Sequence, residues 1–219
     1  MVNNNFKEIF NRKKYLSKLV PLKFIDYKKI KSKIKNNYLT SLTNDENMNF
    51  VFSLSKLLKI SEKSFIKSMG SFIGLPHRHE VFLKKKYITF INDSKATSFQ
   101  ATKTALASSK NIYWILGGLP KKKDKINLKN LKYNIIKSYI IGKDINFFKK
   151  QLKNKVKFSV EVNLKKAVVS VLKDIRLLKK NKNTVLLSPS AASFDQFKNF
   201  EQRGNVFKKL SRLYVKKFI

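Results

Sequence analysis

The chain has 219 residues, with 49 basic and 13 acidic side chains, a formal net charge of +36 and 42% hydrophobic residues. That length and apolar content suit a packed core of one domain or one and a half, and exclude a chain disordered throughout. The lack of cysteine excludes disulfides, a thiolate nucleophile and cysteine-based metal sites, and no apolar run approaches the ~20 residues that cross a bilayer.

The start, MVNNNFKEIFNRKK, lacks the apolar core of a secretion signal, so a soluble cytoplasmic protein is expected. Leu19–Asp26 suits a strand, and the lysine-rich Tyr27–Lys35 suits a helix or an exposed ribbon. The segment reads as a chain that begins in mid-fold. From Asp45 a helical stripe appears in Phe50, Phe52, Leu54, Leu57 and Leu58, with Thr43 or Asn44 as its cap. A second helix starts at Ser61, carries Glu62 in its first turn and ends near Gly70. The connector FIGLPHRHE (Phe72–Glu80) follows, broken by its glycine and proline.

Beyond Glu80 apolar strands alternate with amphipathic helices. The expected strands are Tyr87–Ile91, Asn111–Leu116, Ser138–Ile141, Val156–Val160 and Thr184–Leu187. A helix begins near Thr97 or Ser98, with Ala101, Ala105 and Leu106 on one face. The clearest helix is Asn163–Lys180, where Leu164, Ala167, Val168, Val171, Leu172, Ile175 and Leu178 make one stripe. The last helix runs from Asp195 and carries Phe197, Phe200, Val206, Phe207 and Leu210. Such a pattern indicates a doubly wound, Rossmann-like α/β domain with a mainly parallel sheet covered on both faces, and no GxGxxG fingerprint is present. The expected domains are residues 1–80 and 81–219.

Three strand ends carry loops of unusual chemistry: NDSKAT (Asn92–Thr97), GGLPKKKD (Gly117–Asp124) and SPSAASFDQFKNFEQRG (Ser188–Gly204). In a parallel sheet all three emerge along one edge, where ligands bind. Asp93, Lys95 and Thr97 offer a carboxylate, an ammonium and a hydroxyl at alternate positions. Of the 13 acidic residues, Asp93, Asp124, Asp195 and Glu201 fall in these loops or at helix starts and Glu80 lies just upstream, which suggests specific jobs, although loops collect polar residues anyway. His77 and His79 lack a third ligand, so a structural or ligand-stacking role outweighs a metal site.

The charge has two readings. A lysine-rich surface suits a nucleic-acid-binding Rossmann-like module. Yet only five of the basic residues are arginine, and the lysines spread along the whole chain. A compositional bias toward lysine, asparagine and isoleucine explains this better than a dedicated nucleic-acid surface, which would favour the arginine fork.

The motifs GLPHRHE, INDSKAT, GG-x-x-K-x-x-D and SPSAASFDQFKNFEQRG, in this order and spacing, resemble the Mur ligases. The resemblance covers roughly Tyr38 to the C-terminus and is nearest to the members that add D-glutamate. It implies a Rossmann-like C-terminal domain preceded by the helical tail of a central ATPase domain. It also implies an ATP- and Mg²⁺-dependent amide ligase of peptidoglycan precursor synthesis. In that reaction the carboxylate of UDP-N-acetylmuramoyl-L-alanine is phosphorylated, and D-glutamate attacks the acyl phosphate.

Residue by residue, Asn44 and Asn47 match the family's adenine-side asparagines, Arg78 its phosphate-side arginine and Asp93 the carboxylate at the ribose. Lys95, Thr97, Lys121, Ser193 and Phe200 match positions around D-glutamate, with Lys95 also the catalytic position. Ser41 and Thr43 depart from the G-x-H-N-x-x-N pattern, and Leu119 stands where the family is often acidic. No stretch resembles the P-loop G-x-x-G-K-[ST], and the family's Mg²⁺ ligands have no counterpart. The expectation is a truncated or split ligase, inactive by itself, whose missing domains a separate chain could supply.

Overall fold

Ile112–Gly117 is buried at every position, which a sheet tolerates only when both its faces are covered. The computed structural model describes residues 24–36, 38–40, 44–178 and 182–219. The chain divides after Gly74 into two compact units. In the second, β1 (Glu80–Lys85), β2 (Ile88–Asn92), β3 (Ile112–Gly117), β4 (Ile135–Ile141), β5 (Phe158–Val162) and β6 (Asn183–Leu187) form one sheet in the order β1-β2-β6-β3-β4-β5. β1 lies antiparallel to β2, and every other neighbouring pair is parallel. The expected α/β architecture with a mainly parallel sheet is the one the chain adopts.

Strand alternation splits the core in two. Tyr113, Ile115, Tyr139, Ile141, Val185 and Leu187 face α6 (Leu164–Leu178) and α7 (Phe200–Phe218). Ile112, Trp114, Leu116, Ile140 and Leu186 face α4 (Phe99–Ala107) and α5 (Ile145–Leu152). The α6 stripe from Leu164 to Ile175 is buried as expected, while Leu178 is exposed; Lys179 and Lys180 lie outside the described residues.

Three expectations in this unit need correction. β1 has no apolar alternation to announce it, because it is an edge strand whose Val81 and two lysines face water. Ala101 is exposed, and Thr102 takes its place on the buried face of α4. The last helix starts at Phe200, not Asp195, because Asn199 caps it by accepting the Gln202 N–H at 2.8 Å. The second compact unit begins at Leu75, so the connector residues from there to Glu80 belong to it. His77 and Glu80 hydrogen-bond to Asn92 at the end of β2, which ties the connector to the sheet.

The first unit contains α1 (Phe24–Lys31), α2 (Asp45–Leu57) and α3 (Glu62–Ser71). Phe24–Asp26 are helical, not extended; Leu19 to Leu22 and Lys23 lie outside the described residues. Tyr27, Ile30 and Ile34 are buried with Met48, Phe52 and Phe65 in a small core. The buried face of α2 is therefore Met48, Phe52 and Ser55, at i, i+4 and i+7, with Asn49 beside them. Leu54, Leu57 and Leu58, expected inside, are 45, 54 and 64% exposed. Asn44 stands at the N-cap position without a capping bond, donating instead to the Tyr38 carbonyl at 2.8 Å; Thr43 is outside the described residues. Ser61 does cap α3, accepting the Ser64 N–H at 3.2 Å.

Gly204 lies inside α7, where alanine would ordinarily add about 1 kcal/mol of helix propensity. Here an added Cβ would stand 2.1 Å from His77 Nδ1 and 2.9 Å from Asn92 Oδ1. Both neighbours are buried and bonded to one another, so neither can yield cheaply. Gly204→Ala is expected to destabilise the chain by at least about 2 kcal/mol despite the propensity gain. Denaturant unfolding checks this, and an unchanged or raised midpoint would refute it.

Candidate functional site

Parallel pairing sets three strand ends level. Asn92 of β2 lies beside Leu187 of β6, which lies beside Ile115 of β3. The loops leaving these strands emerge at one edge, and backbone hydrogen bonds sew them together. Asp93 N–H donates to the Leu187 carbonyl at 2.8 Å, and Gly117 N–H to the Pro189 carbonyl at 2.9 Å. Leu119 and Ala192 exchange two bonds, each 2.9 Å. Gly118 permits this approach: its φ is +126°, and a Cβ there would lie 2.2 Å from the Ala192 oxygen. The loop after β4 joins through Asp195, whose Oδ2 accepts the Lys143 N–H at 2.9 Å.

Onto this frame the chain places the expected ligand-binding side chains. The Lys95 ammonium is exposed and sits 3.8 Å from the centre of the Phe200 ring. His77 meets the same ring edge-on at 6.0 Å. Ser193 is buried directly after Ala192, and Lys121 is exposed two residues beyond Leu119. The Leu119–Ala192 bridge thus couples the backbones that carry them. Thr97 is half-buried just before Ser98, which caps α4.

Of the nucleotide-side residues, Arg78 is exposed and Asp93 is enclosed. Asn44 and Asn47 belong to the first unit, with the Asn47 amide 3.5 Å from Asn44 Oδ1. Among the described residues no group of three or more His, Asp or Glu side chains is arranged to hold a metal ion.

Beneath the edge lies a polar layer that sequence reasoning did not find. Asp93 Oδ1 accepts the His79 N–H at 3.1 Å and Oδ2 accepts the Ser188 hydroxyl at 2.7 Å. Thr102 lies 2.9 Å from both the Ser188 and the Ser190 hydroxyls. Burial pushes the Asp93 carboxyl up to about 6, against the pull of Ser188, the His79 N–H and the Arg78 charge. Burial also pushes Glu80 up, but the His77 N–H, Lys208 and Asn92 outweigh it and leave the carboxyl below its ordinary value. Burial, with Lys208 adding to it, pushes the His77 imidazole below its ordinary value against the pull of Glu80, Glu201 and Asn92, and its Nδ1 accepts from Asn92.

Asp124 Oδ2 accepts the first N–H of α4, that of Phe99, at 2.7 Å. Asp93, Asp124 and Asp195 thus each pin a loop through backbone N–H groups. Arg203 is also buried here, its guanidinium pushed down to about 10 by burial with Asp195 opposing. Its place in the QRG stretch was visible in the sequence, but nothing there showed a surface-type residue turning inward.

No family model matches the chain. Among curated proteins it is 36% identical over 189 residues to a UDP-N-acetylmuramoylalanine–D-glutamate ligase from Wolbachia sp. subsp. Brugia malayi, covering 83% of this chain and 38% of that protein. The ligase of the same name from Rhizobium meliloti is 41% identical over 148 residues, covering 68% of this chain and 32% of that protein. The chain therefore spans less than two fifths of these relatives' length. Among solved structures, MurF ligase from Thermotoga maritima in complex with ADP matches with a TM-score of 0.51 over 79% of this chain and 39% of that one. At 14% identity that likeness concerns the fold alone. With relatives this similar across most of its length and a fold shared with a solved ligase, the chain belongs to the Mur ligase family.

Proposed function

We propose that this chain is the amino-acid-binding part of an ATP-dependent ligase that adds D-glutamate to UDP-N-acetylmuramoyl-L-alanine in cytoplasmic peptidoglycan precursor synthesis. The names of its curated relatives support the substrate. The observation that carries the reading is the meeting of three loops at one sheet edge, with Lys95 and Phe200 in contact and Ala192, next to Ser193, bridged to Leu119 of the Lys121 loop. Two ammonium groups with the Thr97 and Ser193 hydroxyls suit a small dicarboxylate. Holding its amine in place is itself catalytic, because orientation removes much of the entropic barrier. Lys95 is the residue we assign to both binding and catalysis.

Asn44, Asn47, Arg78 and Asp93 are assigned to the nucleotide, and residues 1–80 to the end of the ATP-binding domain. Arg78, being exposed, is free to meet a phosphate. The described residues do not fit a Mg²⁺ site, and no step is assigned to a metal held by this chain. The phosphoryl step needs a P-loop and metal ligands, so the 219 residues alone are expected to bind D-glutamate without ligating it.

Titration of the full chain with D-glutamate tests the reading. Lys95→Ala and Ser193→Ala are each expected to weaken binding about tenfold or more. Equal affinity in native and variant chains would refute the site. Steeply salt-dependent DNA binding without D-glutamate binding would favour the nucleic-acid module instead. With ATP, Mg²⁺ and both substrates, the chain alone is expected to release no phosphate. ATP-dependent ligation by the isolated 219 residues would overturn that.

Asp93 generates a separate expectation. Its folded value of about 6 lies above the ordinary 3.8, so the folded state binds the proton more tightly than the unfolded state. Its contribution to stability is therefore fullest below about pH 4 and is lost as pH rises through 6. Asp93→Asn removes that loss, and stability relative to the native chain should shift in the variant's favour by about 2 to 3 kcal/mol between pH 4 and 7. A difference independent of pH in denaturant titrations would contradict the buried, protonatable carboxyl.

A further inference from the structure

Arg203 lies in the first turn of α7 and is 1% exposed. Its Nε donates to Ser94 Oγ at 3.0 Å, and its Nη2 donates to the Ser94 carbonyl at 2.8 Å and the Ala191 carbonyl at 3.1 Å. None of these acceptors carries a charge. Nη1 is buried without a hydrogen-bond partner. Ser94 Oγ donates onward to the Phe200 carbonyl at 2.8 Å, closing a ring through the start of α7.

This is a costly way to fill space. A buried cation bonded to no carboxylate carries a desolvation penalty that an apolar side chain of similar volume would avoid. What the guanidinium does, and an apolar side chain cannot, is hold carbonyls of two different loops on its Nη2 while its Nε, fixed in the same plane, holds the Ser94 hydroxyl. Those carbonyls lie one residue before Lys95 and two residues before Ser193. The third tie, through Ser94 Oγ, reaches Phe200, whose ring carries the Lys95 ammonium.

We propose that Arg203 is a positioning residue that sets the spacing of Lys95, Ser193 and Phe200 from behind the site, without touching the ligand. The identity of the ligand rests on the D-glutamate reading; the clamp itself does not. A lysine at this position keeps the charge, but its single ammonium on a flexible stem cannot hold both carbonyls and the Ser94 hydroxyl in the fixed plane that Nη2 and Nε supply together. The lost bonds free the two loops to move relative to each other, while the sheet beneath keeps its own ladder.

Two measurements on the full chain separate the clamp from the substrate assignment. In Arg203→Met and Arg203→Lys, the amides of Leu119 and Ala192 are expected to exchange with solvent about tenfold faster, those of β4 and β5 remaining as in the native chain. D-glutamate affinity is expected to fall about tenfold in both variants, the lysine giving no rescue. Native exchange rates, or native affinity in either variant, would overturn the proposal. If the Arg203 variants do not fold, Ser94→Ala, which removes the hydroxyl between the guanidinium and Phe200, is expected to change exchange and affinity in the same direction, and no change would overturn the proposal. If the native chain does not bind D-glutamate, the substrate reading fails and the exchange data alone decide the clamp.

Discussion

The register of β2, β6 and β3 governs the rest of this molecule. Because Asn92, Leu187 and Ile115 lie side by side, three segments far apart along the chain leave the sheet at one level. Parallel strands impose this, since every carboxyl end points the same way and each crossover returns to the opposite edge. The loops then lack room to avoid one another, and their peptide groups satisfy each other. The Leu119–Ala192 pair and the Gly117–Pro189 bond extend the ladder past the last strand residues. A side chain on such a frame inherits the rigidity of the sheet, which a binding site needs and an isolated loop lacks.

Charge is distributed by role. Most of the described lysines lie at the surface. The scarce carboxylates are mostly withdrawn into structural bonds: Glu80 with His77, Asn92 and Lys208; Asp93 with His79 and Ser188; Asp124 with the start of α4; Asp195 with Lys143. These four carboxylates are thereby engaged within the fold, close to the edge where Lys95 and Lys121 stand. An anionic ligand meets cations there, with backbone and hydroxyl donors behind them.

The first unit illustrates how far periodicity reaches. The α2 helix carries apolar residues nearly all round, so a helix was legible but its inward face was not. Met48, Phe52 and Ser55 are buried because Tyr27, Ile30 and Phe65 lie against them, while Leu54, Leu57 and Leu58 remain outside. The edge strand β1 failed to register for the opposite reason, its pattern being too polar to separate from a loop. In α4, Thr102 displaced Ala101 from the buried face because its hydroxyl meets Ser188 and Ser190, partners supplied by a loop some 86 to 88 residues away in sequence.

Local chemistry was therefore enough to place five strands within a few residues, the α6 stripe, the Ser61 cap and the three polar loops, because period, capping and turn residues act between near neighbours. Family resemblance rested on the same loops, where function constrains residue types at fixed spacing. The tertiary structure alone decided which side chains turn inward and what they bond. Nothing local to Arg203 announces the two loop carbonyls it bonds, and nothing local to Asp93 announces Ser188, which with the His79 N–H encloses it. Those partners are distant along the chain, and a hydrogen bond between distant residues leaves no period in the sequence.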